Sequence, residues 1–81
     1  MKKIYSKSIN TVNVITYHDG CVQSITSYKD SPSGNKSAEK LFTTLIKENC
    51  PDTTKEDIEA SLDNGYFEQE NFWQAFIVHS T

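Results

Sequence analysis

The chain has 81 residues, of which 36% are hydrophobic, and its net charge is −3. This length fits one domain, expected over residues 1–81, and a domain so small buries only ~60% of its unfolded surface. No apolar stretch approaches the ~20 residues of a membrane span, and polar residues follow Lys2 and Lys3 where a signal peptide needs an apolar core. We therefore expect a cytoplasmic protein with no membrane contact.

The charge is distributed unevenly. Residues 1–47 contain seven lysines and three acids, whereas residues 48–81 contain one lysine and eight acids. There is no arginine, the side chain best suited to bidentate contacts with phosphate and guanine, so direct nucleic-acid binding is not expected. An acidic half indicates either a basic partner or a contribution to solubility alone.

The N-terminal part of the chain predicts a β-hairpin. Residues 9–18 and 21–28 are rich in β-branched and aromatic side chains, and Asp19-Gly20 lies between them. This dipeptide readily adopts the positive φ angles of a two-residue type I′ turn. Ile4 and Tyr5 extend the first strand or begin it. The next segment, residues 29–36, is dense in turn-forming residues and is predicted to be a loop.

Two helices follow the loop. The first is predicted over residues 37–49, capped by Asn35 or Ser37, because its apolar residues recur at helical spacing; they are Ala38, Leu41, Phe42, Leu45 and Ile46. Pro51 prevents its continuation.

Two overlapping segments indicate the start of the second helix, Thr53-Thr-Lys-Glu56 and Thr54-Lys-Glu-Asp57, of which the first has the spacing of a capping box. Its buried side contains Ile58 and Leu62, and Asn64-Gly65 provides a left-handed C-terminal cap.

A final strand is predicted over residues 72–79, after Tyr66 and Phe67 pack back on the domain. The order β-β-α-α-β predicts an α+β fold with a three-stranded antiparallel sheet, strand order 2-1-3, and both helices on one face. Aromatic side chains would remain uncovered on the other face, which indicates a binding surface or a dimer interface.

Motifs for phosphate binding, metal binding or nucleophilic catalysis are weak in this sequence. We therefore expect neither enzymatic activity nor a bound cofactor or metal. The segment from Gly34 to Ser37 lacks the glycine spacing of a phosphate-binding loop. Four residues of types that bind zinc are present, but their spacing matches neither a zinc finger nor a zinc ribbon; they are His18, Cys21, Cys50 and His79. No sequence context activates either cysteine as a nucleophile, and both are expected to be reduced.

The acidic residues of the second helix have a spacing that places them together. Glu56, Glu59 and Asp63 recur at i, i+3 and i+7 and share one face, which is either an interface or simply solvated. Glu68 and Glu70 continue the acidic run, and Tyr66 and Trp73 are candidate apolar anchors, although an aromatic residue is more often part of a core.

The whole chain resembles the small orphan proteins of phages and mobile elements, some of which are anti-CRISPR or anti-restriction inhibitors. The resemblance lies in size, acidity and the succession of the hairpin, the helices at residues 38–42 and 53–58, the segment at 62–67 and a terminal aromatic strand. It implies a non-enzymatic inhibitor that covers a basic nuclease or nucleic-acid-binding surface of a host protein. The alternative is a homodimeric small-ligand-binding or housekeeping module whose exposed sheet face pairs with itself.

Overall fold

A computed structural model describes residues 10–70 and 72–80 of the chain. The elements are β1 (Thr11–His18), β2 (Cys21–Lys29), α1 (Pro32–Asn49), α2 (Lys55–Asn64), β3 (Tyr66–Gln69) and β4 (Trp73–Ser80). The predicted extensions at Ile4, Tyr5 and Ile9 lie outside the described residues.

The sheet has four antiparallel strands in the order β2-β1-β4-β3. The α+β class and the two helices are confirmed, and the last long strand does lie beside β1. The predicted three-stranded sheet of order 2-1-3 is wrong, because Tyr66–Gln69 form an additional edge strand on β4. Two aromatic residues are followed here by two polar ones, so the segment lacks the alternation of apolar and polar side chains from which a strand is predicted.

The β1–β2 hairpin turns at Asp19 and Gly20, whose φ angles are +56° and +82°. Positive φ at both central residues is the type I′ geometry expected from this dipeptide. One residue of β2 is unmatched where the register shifts between Thr16 and Tyr17, because Thr16 pairs with Ser24 and Tyr17 with Val22. This β-bulge brings the side chains of Gln23 and Ser24 to the same side of the sheet, where both bond to Thr16.

Helix α1 begins five residues earlier than predicted, so the loop prediction for residues 32–36 is wrong. Ser31 is the N-cap, and its Oγ accepts a hydrogen bond from the Gly34 N–H at 3.1 Å. Pro32 occupies the first turn, where the missing N–H of proline costs nothing. A Ser-Pro pair is therefore a helix start here, although the same residue types are common in turns.

Helix α2 has Thr54 as its N-cap, with the Oγ accepting from the Asp57 N–H at 3.2 Å. The capping residue is thus one position later than the predicted Thr53. Gly65 ends the helix in the left-handed conformation, with φ +71°, as its sequence predicts.

Both helices pack on one face of the sheet. The core contains the α1 residues at positions 38, 42 and 46 together with residues from β1, β3, β4 and α2; its members are Val12, Val14, Ala38, Phe42, Ile46, Cys50, Ile58, Phe67, Trp73 and Ala75. The predicted apolar stripe of the first helix is confirmed, with Leu41 and Leu45 half-buried at its edge. Within the described residues, neither helix combines the length and the apolar character needed to cross a membrane.

Candidate functional site

The carboxylates of α2 form an exposed surface. Ile58 and Ser61 face the core, which leaves Glu56, Glu59 and Asp63 in solvent. We call these three residues the acidic helix surface. Their spacing places them within one side of a 3.6-residue helix, as the sequence predicts.

A shallow groove runs between α1 and α2 beside this surface. Its volume is about 480 Å³, and it is lined by Thr43, Lys47, Thr53, Lys55, Ile58, Glu59 and Leu62. Half-buried Leu62 provides an apolar contact next to the carboxylate of Glu59, whereas Ile58 below it is only 4% exposed. A partner that binds the acidic helix surface therefore has an adjacent place to bury an apolar side chain.

A second depression, of about 380 Å³, lies at the N-terminal end of α2. Asp52 before the helix and Asp57 in its first turn line it, together with Glu68 of β3. The tertiary structure thus brings Glu68 close to the beginning of α2, although its carboxylate bonds to Tyr66 on the other side of the sheet. Glu70 is exposed at the end of β3 and has a φ of +53°.

The side chains of Tyr66 and Glu68 lie on the side of the sheet opposite to the helices. Phe67 between them belongs to the core, and side chains alternate along a strand. The Tyr66 hydroxyl donates a hydrogen bond to Glu68 Oε1. This bond, followed by desolvation and the nearby negative charge, raises the pKa of Tyr66 above its ordinary value.

Trp73 does not belong to any surface, which corrects its assignment as a candidate anchor. Only 1% of the residue is exposed, and its ring packs 5.9 Å from that of Phe67, centroid to centroid. Its Nε1 donates to Gln23 Oε1 at 3.0 Å. The same oxygen accepts from the hydroxyl of buried Thr16 at 3.2 Å, so Gln23 satisfies two buried donors.

The face of the sheet away from the helices is uncovered by the described elements. In the strand register, Ile25, Ile15, Phe76 and Tyr66 lie side by side across all four strands. We call these four residues the apolar row. Its aromatic rings are in contact, with Tyr66 and Phe76 centroids 5.0 Å apart. The sequence predicted an uncovered aromatic face, but which residues occupy it depends on the register.

Among residues 10–70 and 72–80, no group of three or more histidine, cysteine or acidic side chains could hold a metal ion. His79 instead bonds through Nε2 to Asn35 Oδ1 at 2.9 Å, and Asn35 Nδ2 donates to Asp30 Oδ1 at 2.7 Å. Cys21 and Cys50 are free thiols, the first exposed and the second buried.

Comparison of the chain with protein-family models, curated proteins and solved structures finds no match.

Proposed function

We propose that this protein is a non-enzymatic, protein-binding inhibitor that acts in the cytoplasm and covers a basic nucleic-acid-binding or nuclease surface of a larger host protein. The acidic helix surface makes the central contact. The resemblance of the whole chain to anti-CRISPR and anti-restriction proteins in size, acidity and element order favours a counter-defence role.

One observation supports the proposal most directly: all eight carboxylates of residues 48–81 are exposed. They are Glu48, Asp52, Glu56, Asp57, Glu59, Asp63, Glu68 and Glu70, and Lys55 is the only lysine in the same segment. A concentration of like charge on one protein raises its association rate with a partner surface of opposite charge.

The groove between the helices adds a source of residence time to this attraction. Screening limits exposed charge pairs to about 0–1 kcal/mol each, so carboxylates alone give a fast but short-lived complex. Burial of a partner side chain against Leu62 slows dissociation. Tyr66 lies on the other face of the sheet and Trp73 is buried, so neither contacts the proposed partner.

The test is affinity capture from a lysate of the natural host, cleared of nucleic acid, with identification by mass spectrometry at low and moderate salt. We expect capture of a nuclease or another nucleic-acid-handling protein that is lost as salt increases, because screening weakens exposed charge pairs. The captured protein is then purified, and its nucleic-acid binding is measured with increasing amounts of this protein. Inhibition that saturates at a fixed stoichiometry is the expected result.

Glu59→Lys combined with Asp63→Lys should abolish capture and slow association, because it reverses two charges of the acidic helix surface. The matched control is Glu39→Lys combined with Ser37→Lys and Thr44→Lys, which makes the same total charge change at three exposed positions of α1 outside residues 48–81. Equal capture by the two charge variants, or recovery of no nucleic-acid-handling protein by the wild type, contradicts the proposed function.

A further inference from the structure

The uncovered face of the sheet presents a continuous apolar surface. The apolar row spans the full width of the sheet, and Tyr17 packs beside it with its ring 5.6 Å from that of Phe76. Val22 and Val78 extend the row along the strands in the neighbouring registers. The exposed fractions are 61% for Ile25, 54% for Val22 and 41% for Val78, so much apolar surface is left in contact with water.

Polar side chains border the apolar row on one side and are connected by hydrogen bonds. Asn13 Nδ2 donates to the Val78 carbonyl and to Ser80 Oγ, both at 3.0 Å, and Asn13 Oδ1 accepts from Ser27 Oγ at 2.6 Å. The face therefore has an apolar centre with an ordered polar margin. This is the composition of a protein–protein interface rather than that of a small-molecule pocket, which is concave.

We propose that the uncovered face binds the same face of a second copy of this chain, forming a twofold homodimer with the helices on the outside. Three strands of eight or nine residues and one of four, at ~4.8 Å between strands and ~3.4 Å per residue, give about 450 Å² of sheet plane per copy. Full overlap of two such faces buries about 1,000 Å² in total once side-chain relief is included, and partial overlap buries less, so the interface lies at or below the lower limit for a specific one. The dimer is therefore weak and depends on concentration.

The charges on this face favour a second copy over an unrelated partner. Lys29 lies opposite Thr11 in the strand register, at one end of edge strand β2. Glu68 lies opposite Gln74 on the other edge strand, β3, toward the opposite end of the sheet. Both side chains lie on the uncovered face by strand alternation, at diagonally opposite corners. A twofold axis in the interface, perpendicular to that diagonal, places each Lys29 against the partner's Glu68. The two sheets then cross instead of lying with their strands aligned, which is one of the two common ways in which sheets pack.

The proposal is tested by sedimentation velocity of the full chain from about 10 µM to about 1 mM, the range suited to a weak interface of this size. We expect the mass to rise from the 9.2 kDa of the monomer to twice that value with increasing concentration. Ile25→Lys should abolish the dimer, because it places a charge in the apolar row; Val22→Lys provides a second variant of the same kind. Circular dichroism verifies that each variant is folded. A monomer at every concentration overturns the proposal.

Phe72→Lys is the matched control, since Phe72 is 52% exposed but lies in the turn before β4, where its ring contacts His18 and is not part of the apolar row. It should dimerise like the wild type. Lys29→Glu and Glu68→Lys should each weaken the dimer about tenfold, because a twofold dimer contains this exposed ion pair twice, and the two changes together should restore it. Dimerisation of folded Ile25→Lys at wild-type strength, or a double charge reversal weaker than either single change, overturns the face-to-face arrangement. These outcomes are independent of the proposed inhibitor function.

Discussion

At the scale of single residues, the two cysteines illustrate how the environment sets reactivity. Cys21 is exposed in the hairpin, whereas only 5% of Cys50 is exposed, at the end of α1. Burial raises the pKa of the Cys50 thiol, because the thiolate is poorly solvated in the domain. Since the thiolate is the nucleophile, Cys50 is protected from reaction both sterically and electrostatically.

We expect an alkylating reagent to modify one thiol per folded chain quickly and the second only on unfolding. Cys21→Ser should remove the fast phase, and Cys50→Ser should leave it unchanged. Peptide mass spectrometry after timed alkylation identifies the modified residue. Equal rates at both cysteines in the folded protein contradict the burial of Cys50.

At the scale of elements, the start of α1 depends on a close approach of the chain to itself. A Cβ atom built on Gly34 would overlap the carbonyl oxygen of Lys29, at the end of β2. The absence of a side chain at this position therefore lets the helix begin directly after the hairpin. Ser31 and Pro32 supply the cap and the first turn, and together these residues shorten the connection that the sequence predicted as a loop.

Gly34→Ala should destabilise the domain, although the same change at an open helical position stabilises a helix by about 1 kcal/mol. The change in stability has the opposite sign here because the added Cβ atom would overlap the carbonyl oxygen of Lys29. The control is Ser37→Ala, an exposed position of the same helix, where a gain of about 0.5 kcal/mol is expected. Chemical denaturation measures both free energies of unfolding, and a stabilising Gly34→Ala would show that the backbone at this junction shifts without cost.

At the scale of the whole molecule, the two candidate surfaces lie on opposite sides of the sheet. The acidic helix surface faces outward from the helix layer, whereas the apolar row is on the bare face. A face-to-face dimer leaves both copies of the acidic helix surface exposed. If both proposals hold, each dimer engages two partner molecules, which would increase the effective affinity for a multimeric partner.

This separation predicts that the two activities are independent. Glu59→Lys with Asp63→Lys should change the dimer dissociation constant by no more than about twofold, because distant sites act additively. Ile25→Lys should still capture the partner while remaining monomeric. Sedimentation and capture measured on both variants test this, and a tenfold effect of either change on the other activity would show that the surfaces overlap or are coupled.

Much of the local structure is predictable from the residues because it depends on short-range interactions. The type I′ turn requires positive φ at Asp19 and Gly20, the stripe on α1 reflects a 3.6-residue period, and the cap at Gly65 requires a left-handed residue. The acidic spacing of α2 follows from the same period. The α+β class follows from the succession of these elements.

The hairpin, the two amphipathic helices and the separation of charge between the two parts of the chain are predictable from the residues alone. Three features depend on tertiary contacts: β3 joins the sheet, α1 begins at Pro32, and Trp73 is buried while Phe76 lies on the uncovered face. Trp73 and Phe76 are both aromatic residues of one apolar strand, so composition does not distinguish them. Strand register does, because a shift of one residue exchanges every side chain between the two faces of a sheet, and register is set by pairing with residues that are distant in the chain.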